Sequence, residues 1–306
     1  MEGGTLITIK RMSDCTIAEI TKAWNRGFEG YFIPVEMTEE SIVQRLGAEG
    51  YHISLSVVAY DGDEPIGLVA SGLRSVAGQK VAWNGGTGVA TEYRRQGVGR
   101  QLMDASLKLY EEAGAEVATL EAISKNEKAI RLYEQLGYEV VDRLLFLQQS
   151  GVLAPDAFGV RQADQYRIRT GISQEAARLP FYQAEVPWQN QWSSLRDAEV
   201  ILVDDPEGET VGYAMYRRVL NEEGKLAAVT LRQCAAIPDR PDTENILRLA
   251  LQHLYQPGVD CKRTTFNLPA SDQLLLAVLE STGFAPTETE QVYMVKKLRR
   301  AAQVSG

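Results

Sequence analysis

The sequence predicts an α/β fold built twice, each copy a mixed sheet with helices on both sides. Three observations predict it. Short strand-like runs alternate with helical ones through the first half, and an Asp61-Gly62-Asp63 turn joins two of the apolar runs as a hairpin. The second half then repeats the first in register. FNLPASDQLLLAVLESTGFAPT (266–287) parallels LEAISKNEKAIRLYEQLGYEVV (120–141), setting Gly283 146 residues after Gly137. Upstream, Glu209-Thr210-Val211-Gly212 parallels Glu64-Pro65-Ile66-Gly67 at an offset of 145. Near-equal offsets from separate places point to duplication, because chance matches do not keep register.

The elements follow in order. Leu6 to Lys10 reads as a short strand and Cys15 to Gly30 as a helix. Ser54 to Tyr60 and Pro65 to Leu73 are the hairpin strands, and Gln79 to Val89 is a further strand. Within it, Asn84-Gly85-Gly86-Thr87-Gly88 carries more glycine than a strand interior tolerates, which marks a bulge or a close backbone approach. Arg94-Arg95-Gln96-Gly97-Val98-Gly99-Arg100 feeds a helix from Gln101 to Gly114, where Leu102, Ala105, Ser106, Leu109 and Ala113 recur at three- and four-residue spacing. A strand (Val117 to Ala122), a helix from near Glu127 and a last strand (Glu139 to Gln148) complete the half. The second half keeps strands at Val200 to Asp204, Thr210 to Val219 and Ala227 to Ala236. Domains are expected at 1–148 and 163–306, with the Gly-, Pro- and Asp-bearing run 149–162 as linker.

A glycine-rich turn at a helix N-terminus presents unpaired N–H groups and the positive end of the helix dipole, which suits a phosphate. Two nucleotide loops are excluded. No G-x-x-x-x-G-K-[ST] occurs, and G-x-G-x-x-G fails because Leu102 stands three after Gly99.

Read with its sequel, Val89 to Val141 resembles the core of the GNAT-family N-acetyltransferases. Arg94, Gly97 and Gly99 match that family's [QR]-x-x-G-x-[GA] acyl-CoA loop. The strand at 117–122, Asn126, Ala129-x-x-Leu132-Tyr133 and Leu136-Gly137-Tyr138 match a second family signature. The resemblance implies two tandem GNAT-like domains, each a mixed, mostly antiparallel sheet flanked by helices, and acetyl-CoA as cosubstrate. The amides of Gln96, Gly97, Val98, Gly99 and Arg100 would hold the pyrophosphate. Arg95 and Arg100 would add charge or serve only as surface residues. The strand ending at Val89 would open beyond its bulge so that pantetheine pairs with it, and the N–H of Val89 or a neighbour would polarise the thioester carbonyl. Tyr133 would protonate the departing thiolate. Asn126 would hydrogen-bond pantetheine or cap the next helix. For the general base, no Asp or Glu lies between residues 81 and 89; Glu121, Glu29 and a water relay remain. Phe28 to Met37 suits either an acceptor-pocket wall or a plug against the second domain.

The second half departs from this pattern. Its loop reads Ile237-Pro-Asp-Arg-Pro-Asp-Thr-Glu, with prolines that offer no N–H and carboxylates that repel phosphate. Asp272 stands at the place of Asn126 and Leu279 at that of Tyr133. It reads as a degenerate GNAT-like domain without acyl-CoA binding.

Composition narrows the rest. A net charge of −9 argues against nucleic acid as partner. Three scattered cysteines and two histidines make neither a disulfide framework nor a metal site. No apolar run of about 18 residues or signal-peptide pattern occurs, so no membrane association and a cytoplasmic place are expected. Lys296 to Arg300 reads as a solvated basic run. The expected function is acetyl-CoA-dependent N-acetylation of a primary amine on a small molecule, by direct attack in a ternary complex, in a monomer or homodimer. The alternative is an acyl-CoA-binding regulatory or scaffold protein with little turnover.

Overall fold

The computed structural model describes residues 7–298. Leu6 of the first expected strand, and Arg299 and Arg300 of the basic run, lie outside the described residues. The described chain divides into two units, residues 7–141 with 293–298, and residues 142–292.

In the first unit the chain runs β1 (Ile7–Arg11), α1 (Ile17–Gly27), α2 (Glu39–Ala48), β2 (Val57–Asp61), β3 (Glu64–Val76), β4 (Gln79–Val89), α3 (Val98–Glu112), β5 (Val117–Ile123) and α4 (Glu127–Gln135). It leaves the unit along β6 (Glu139–Gln149). The second unit continues with β7 (Arg167–Gly171), the single turn α5 (Ser173–Ala176), β8 (Glu199–Asp204), β9 (Thr210–Leu220), β10 (Leu226–Ala236), α6 (Thr243–Tyr255), β11 (Lys262–Thr265), β12 (Leu268–Pro269) and α7 (Gln273–Ser281). The last strand, β13 (Ala285–Lys297), returns to the first unit.

The first unit carries the strand order β1-β2-β3-β4-β5, and the second β7-β8-β9-β10-β11. In each, the first four strands are antiparallel neighbours and the fourth and fifth are parallel. Both are mixed, mostly antiparallel sheets, as expected. The duplication also holds in detail. Gly137 and Gly283 take left-handed φ values of 85° and 87° just after α4 and α7. Asn126 and Asp272 cap those helices by accepting the N–H three residues on, at 3.4 and 3.2 Å.

The unit boundaries differ from the expected 1–148, 149–162 and 163–306. The second unit begins at Asp142, within β6, and the first takes in residues 293–298 from the end of β13. The segment 149–162 is no free linker, because Leu153 and Phe158 are buried in the core of the second unit.

Local chemistry explains the helices that matter for the site. Thr16 and Glu19 form a capping box at the start of α1. The end of α1 lies against β4 backbone to backbone: a Cβ on Gly88 would stand 2.8 Å from Gly27 C, and one on Gly27 2.9 Å from Gly88 C. Gly88→Ala must therefore push α1 off the sheet, and we expect a loss of about 1–3 kcal/mol, measured by thermal unfolding. The sequence reading has no counterpart for α2, whose apolar periodicity is faint because only Ile42 is buried while Val43 is exposed. Across the sheet, α3 packs on the opposite face, where the buried hydroxyls of Ser71 and Tyr110 meet at 2.6 Å.

Candidate active site

The site begins where β4 and β5 part. Their parallel pairing runs from Val81 opposite Val117 to Asn84 opposite Leu120 and stops there, although β4 continues to Val89 and β5 to Ile123. The register of β3 with β4 slips between Ala70 and Ser71, which leaves Gly85 as the bulged residue. Beyond the bulge β4 is paired on one side only. Ala90 N–H donates to Ile66 O at 2.7 Å on the β3 side. Strand alternation then turns the Val89 N–H and C=O to the open side.

Next to this opening stands the N-terminus of α3. Gly97 precedes the helix with φ 84°, no side chain caps it, and the first closing bond is Gln101 N–H to Gly97 O at 3.0 Å. The amides ahead of Gln101 thus lack helical acceptors. Arg95, also left-handed at φ 64°, curls the loop toward them. Of the two glycines only Gly97 is required by its dihedral. A Cβ on Gly99 would meet Leu132 and Val89 at ordinary distances of 3.5 and 3.7 Å. Arg100 pairs with Asp104 at 3.0 Å on the exposed face, and Gln96 donates to Glu92 O at 2.6 Å. Arg95 is exposed.

The side chain of Arg94, though exposed, reaches back to three backbone carbonyls. Its Nε donates to Val89 O at 2.8 Å, and its Nη2 to Glu29 O at 2.7 Å and Gly27 O at 3.3 Å. It therefore joins the loop, the end of β4 and the end of α1, and it holds the Val89 peptide outward. Arg94→Ala is expected to weaken acetyl-CoA binding about tenfold (about 1.4 kcal/mol) in calorimetry. Arg94→Lys should restore little, since one ammonium cannot span those carbonyls.

Tyr133 of α4 is buried, with its ring 6.1 Å from that of Tyr138. Burial pushes its phenol up to about 12, against hydrogen bonding with Thr87 and Asn84 that favours ionisation. Asn84, itself 3% exposed, spans the bulge: its Nδ2 donates to Thr87 Oγ1 at 2.8 Å and its Oδ1 accepts Gly86 N–H at 3.1 Å. Tyr31, half-buried, stands near both Tyr133 and Asn126. Burial raises the phenol of Tyr31 as well. Tyr133, Asn126, Val89 and the loop residues 94–100 are thus gathered around one opening, together with Asn84, Thr87 and Tyr31.

The two candidate bases stand differently. Glu121 Oε2 accepts the indole N–H of buried Trp83 at 2.7 Å, so this carboxylate is fixed beside β4. Glu29 has an exposed side chain and enters the site only through its carbonyl, which accepts from Arg94. Among the described residues no group of three or more His, Cys, Asp or Glu could hold a metal ion.

Residues 17–138 match the profile of the Acetyltransferase (GNAT) family, and they span this whole arrangement. The first unit is a GNAT domain. Members of the family are acetyltransferases. The structure is similar to the GCN5-related N-acetyltransferase of Sphaerobacter thermophilus, at 16% identity with 96% of each chain covered and a TM-score of 0.62. It is similar to a tandem GNAT protein from the clavulanic acid biosynthesis pathway, at 15% identity over 95% of this chain and 98% of that one, with a TM-score of 0.60. It also resembles the GCN5-related glucosamine N-acetyltransferase region of a fungal multi-domain GH3 β-N-acetylglucosaminidase, at 15% identity and a TM-score of 0.67. That match covers 96% of this chain but only 38% of the fungal one. At such identities these likenesses show the fold, here that of tandem GNAT proteins. No curated protein matches the sequence.

The GNAT-like second unit fills the corresponding places with its own groups. At the start of α6, Arg240 makes two 3.0 Å hydrogen bonds to Asp242, and Tyr166 adds a third at 2.7 Å. The Arg240 hydrogen bonds hold the Asp242 carboxyl down at about 2, so this helix end already has its anion. Pairing of β10 with β11 ends at Leu231 opposite Thr265. Beyond that point Asn190 bridges the two strands, donating to Phe266 O at 2.8 Å and accepting from Gln233 Nε2 at 2.6 Å.

Proposed function

We propose that the first unit transfers the acetyl group of acetyl-CoA to a primary amine of a small molecule, by direct attack in a ternary complex. The observation that carries this reading is the half-paired end of β4 beside an uncapped helix N-terminus, with a buried phenol at the junction. Acetyl-CoA supplies an activated acetyl thioester. The amides of Gly97 to Arg100 offer its pyrophosphate a set of donors on a positive helix end. The open edge of β4 beyond Gly85 offers pantetheine a strand to pair with, and the Val89 N–H faces the place where a thioester oxygen gains charge.

Tyr133 keeps its proton at neutral pH because burial raises its pKa, and it can deliver that proton to the leaving sulfur. Proton removal from the amine falls to Glu121 or to water, since Glu29 is exposed and is tied to the site through its carbonyl. The second unit, with its helix end and strand gap occupied by protein groups, serves the fold rather than the reaction.

Thiol release from acetyl-CoA across a panel of primary amines tests this. Amine-dependent release is the expected result. Tight binding with no release for any amine would favour the binding-protein alternative.

A further inference from the structure

The side of the opening that faces α1 and α2 is paved with aromatic rings. A Cβ on Gly86 would come within 3.2 Å of Phe28 and 3.3 Å of Trp24. At the bulged Gly85, the Tyr51 hydroxyl donates to the carbonyl at 3.1 Å, and the Tyr51 ring lies 5.1 Å from Trp83. From there the rings step outward, with centroid distances of 4.7 Å from Trp24 to Phe28, 5.3 Å on to Tyr31 and 5.4 Å on to Phe32. The run ends in solvent with Phe32 at 53% and Ile33 at 43% exposure.

Polar handles on this wall are mostly committed. The Trp24 indole donates to Val35 O at 2.8 Å, and the Tyr51 hydroxyl serves Gly85 O. A carboxylate, Glu121, is fixed there by the Trp83 indole.

We infer that the acceptor is an amphipathic primary amine, an ammonium carried on an aromatic or aliphatic body, rather than an amino sugar. The inference rests on the acetyl-transfer reading and names its substrate class. Ring faces and a fixed carboxylate attract the ammonium, while Tyr31, Phe32 and Ile33 give the apolar body a surface to cover. A sugar would bring hydroxyls to a wall that offers them few uncommitted partners, and losing their water would cost it affinity. In the transfer the ammonium first loses a proton to Glu121 or water. Its nitrogen then bonds to the carbonyl carbon as the C–S bond breaks. The sulfur takes the Tyr133 proton, and the phenolate recovers one from the acylated nitrogen, giving an amide and CoA thiol.

The test compares kcat/KM for phenethylamine, hexylamine and glucosamine, on wild type and on Phe32→Ser, a substitution at an exposed position. The two apolar amines should exceed glucosamine at least tenfold, and Phe32→Ser should cut that ratio at least threefold. Glucosamine turning over as well as the apolar amines, or a ratio that Phe32→Ser leaves unchanged, would overturn the inference and leave acetyl transfer standing. No thiol release with any amine would overturn both.

Discussion

Replacing Tyr133 with phenylalanine is expected to lower kcat about 100-fold while leaving acetyl-CoA affinity within about twofold. Steady-state kinetics and calorimetry on the same samples would check both. The ring stays to fill its place against Tyr138, so the change removes the proton and little packing. A thiolate with a pKa near 8.5 is a fair leaving group unaided, which bounds the effect and separates it from outright loss. The pH dependence has a definite sign. Burial raises the phenol to about 12, so it is protonated across the neutral range and gives no alkaline fall in kcat until that value is approached. The same shift contributes stability that is full below the ordinary tyrosine pKa near 10. It is lost as pH climbs toward 12, about 3 kcal/mol in all.

Arg263→Leu should destabilise the second unit by about 4 kcal/mol or more, seen as loss of its unfolding transition at moderate temperature in calorimetry. The side chain is fully buried, and its partners are almost all carbonyls: Tyr255 O at 2.7 Å, Gln256 O at 3.1 Å, Val259 O at 2.6 Å, Cys261 O at 3.2 Å and Gly151 O at 2.6 Å. Gln149 Oε1 adds one more at 3.1 Å. Tyr255 and Gln256 end α6, where the helix dipole favours a cation. Leucine would leave these acceptors without donors inside the protein. Arg263→Lys should recover part of the loss, because an ammonium has three donors against the five of a guanidinium.

Much of this site was legible in the sequence because its signals are local. The span of β4 came from its residues, and the bulge from the glycines that crowd its end. Asn126 as a helix cap and Gly97 as the turn residue follow from short-range backbone rules that neighbours rarely override. What escaped depends on contacts between distant segments. Nothing near Arg94 tells that it will reach carbonyls of residues 27 and 29, or that Trp83 will claim Glu121. Tyr31 meets Asn126 and Tyr133 across roughly a hundred residues, and its one signal was the aromatic density of Phe28 to Met37. That the unit divisions fall inside β6 and β13 is likewise invisible to periodicity, since a strand reads the same whichever unit holds it.

The most direct measurement is calorimetric titration of acetyl-CoA into wild type, Gly99→Glu and the Gly97→Glu, Gly99→Glu double variant, with thermal unfolding recorded for each. Gly99→Glu matters because Cβ contacts there are ordinary, whereas a side chain at Gly97 is strained by its left-handed backbone. The expected result is one site per chain in wild type, weakened at least tenfold by the single change and abolished by the double, with folding retained. Two sites would contradict the assignment of a single acyl-CoA site to the first unit. A folded wild type that binds no acetyl-CoA, or variants that bind as well as wild type, would contradict the site itself.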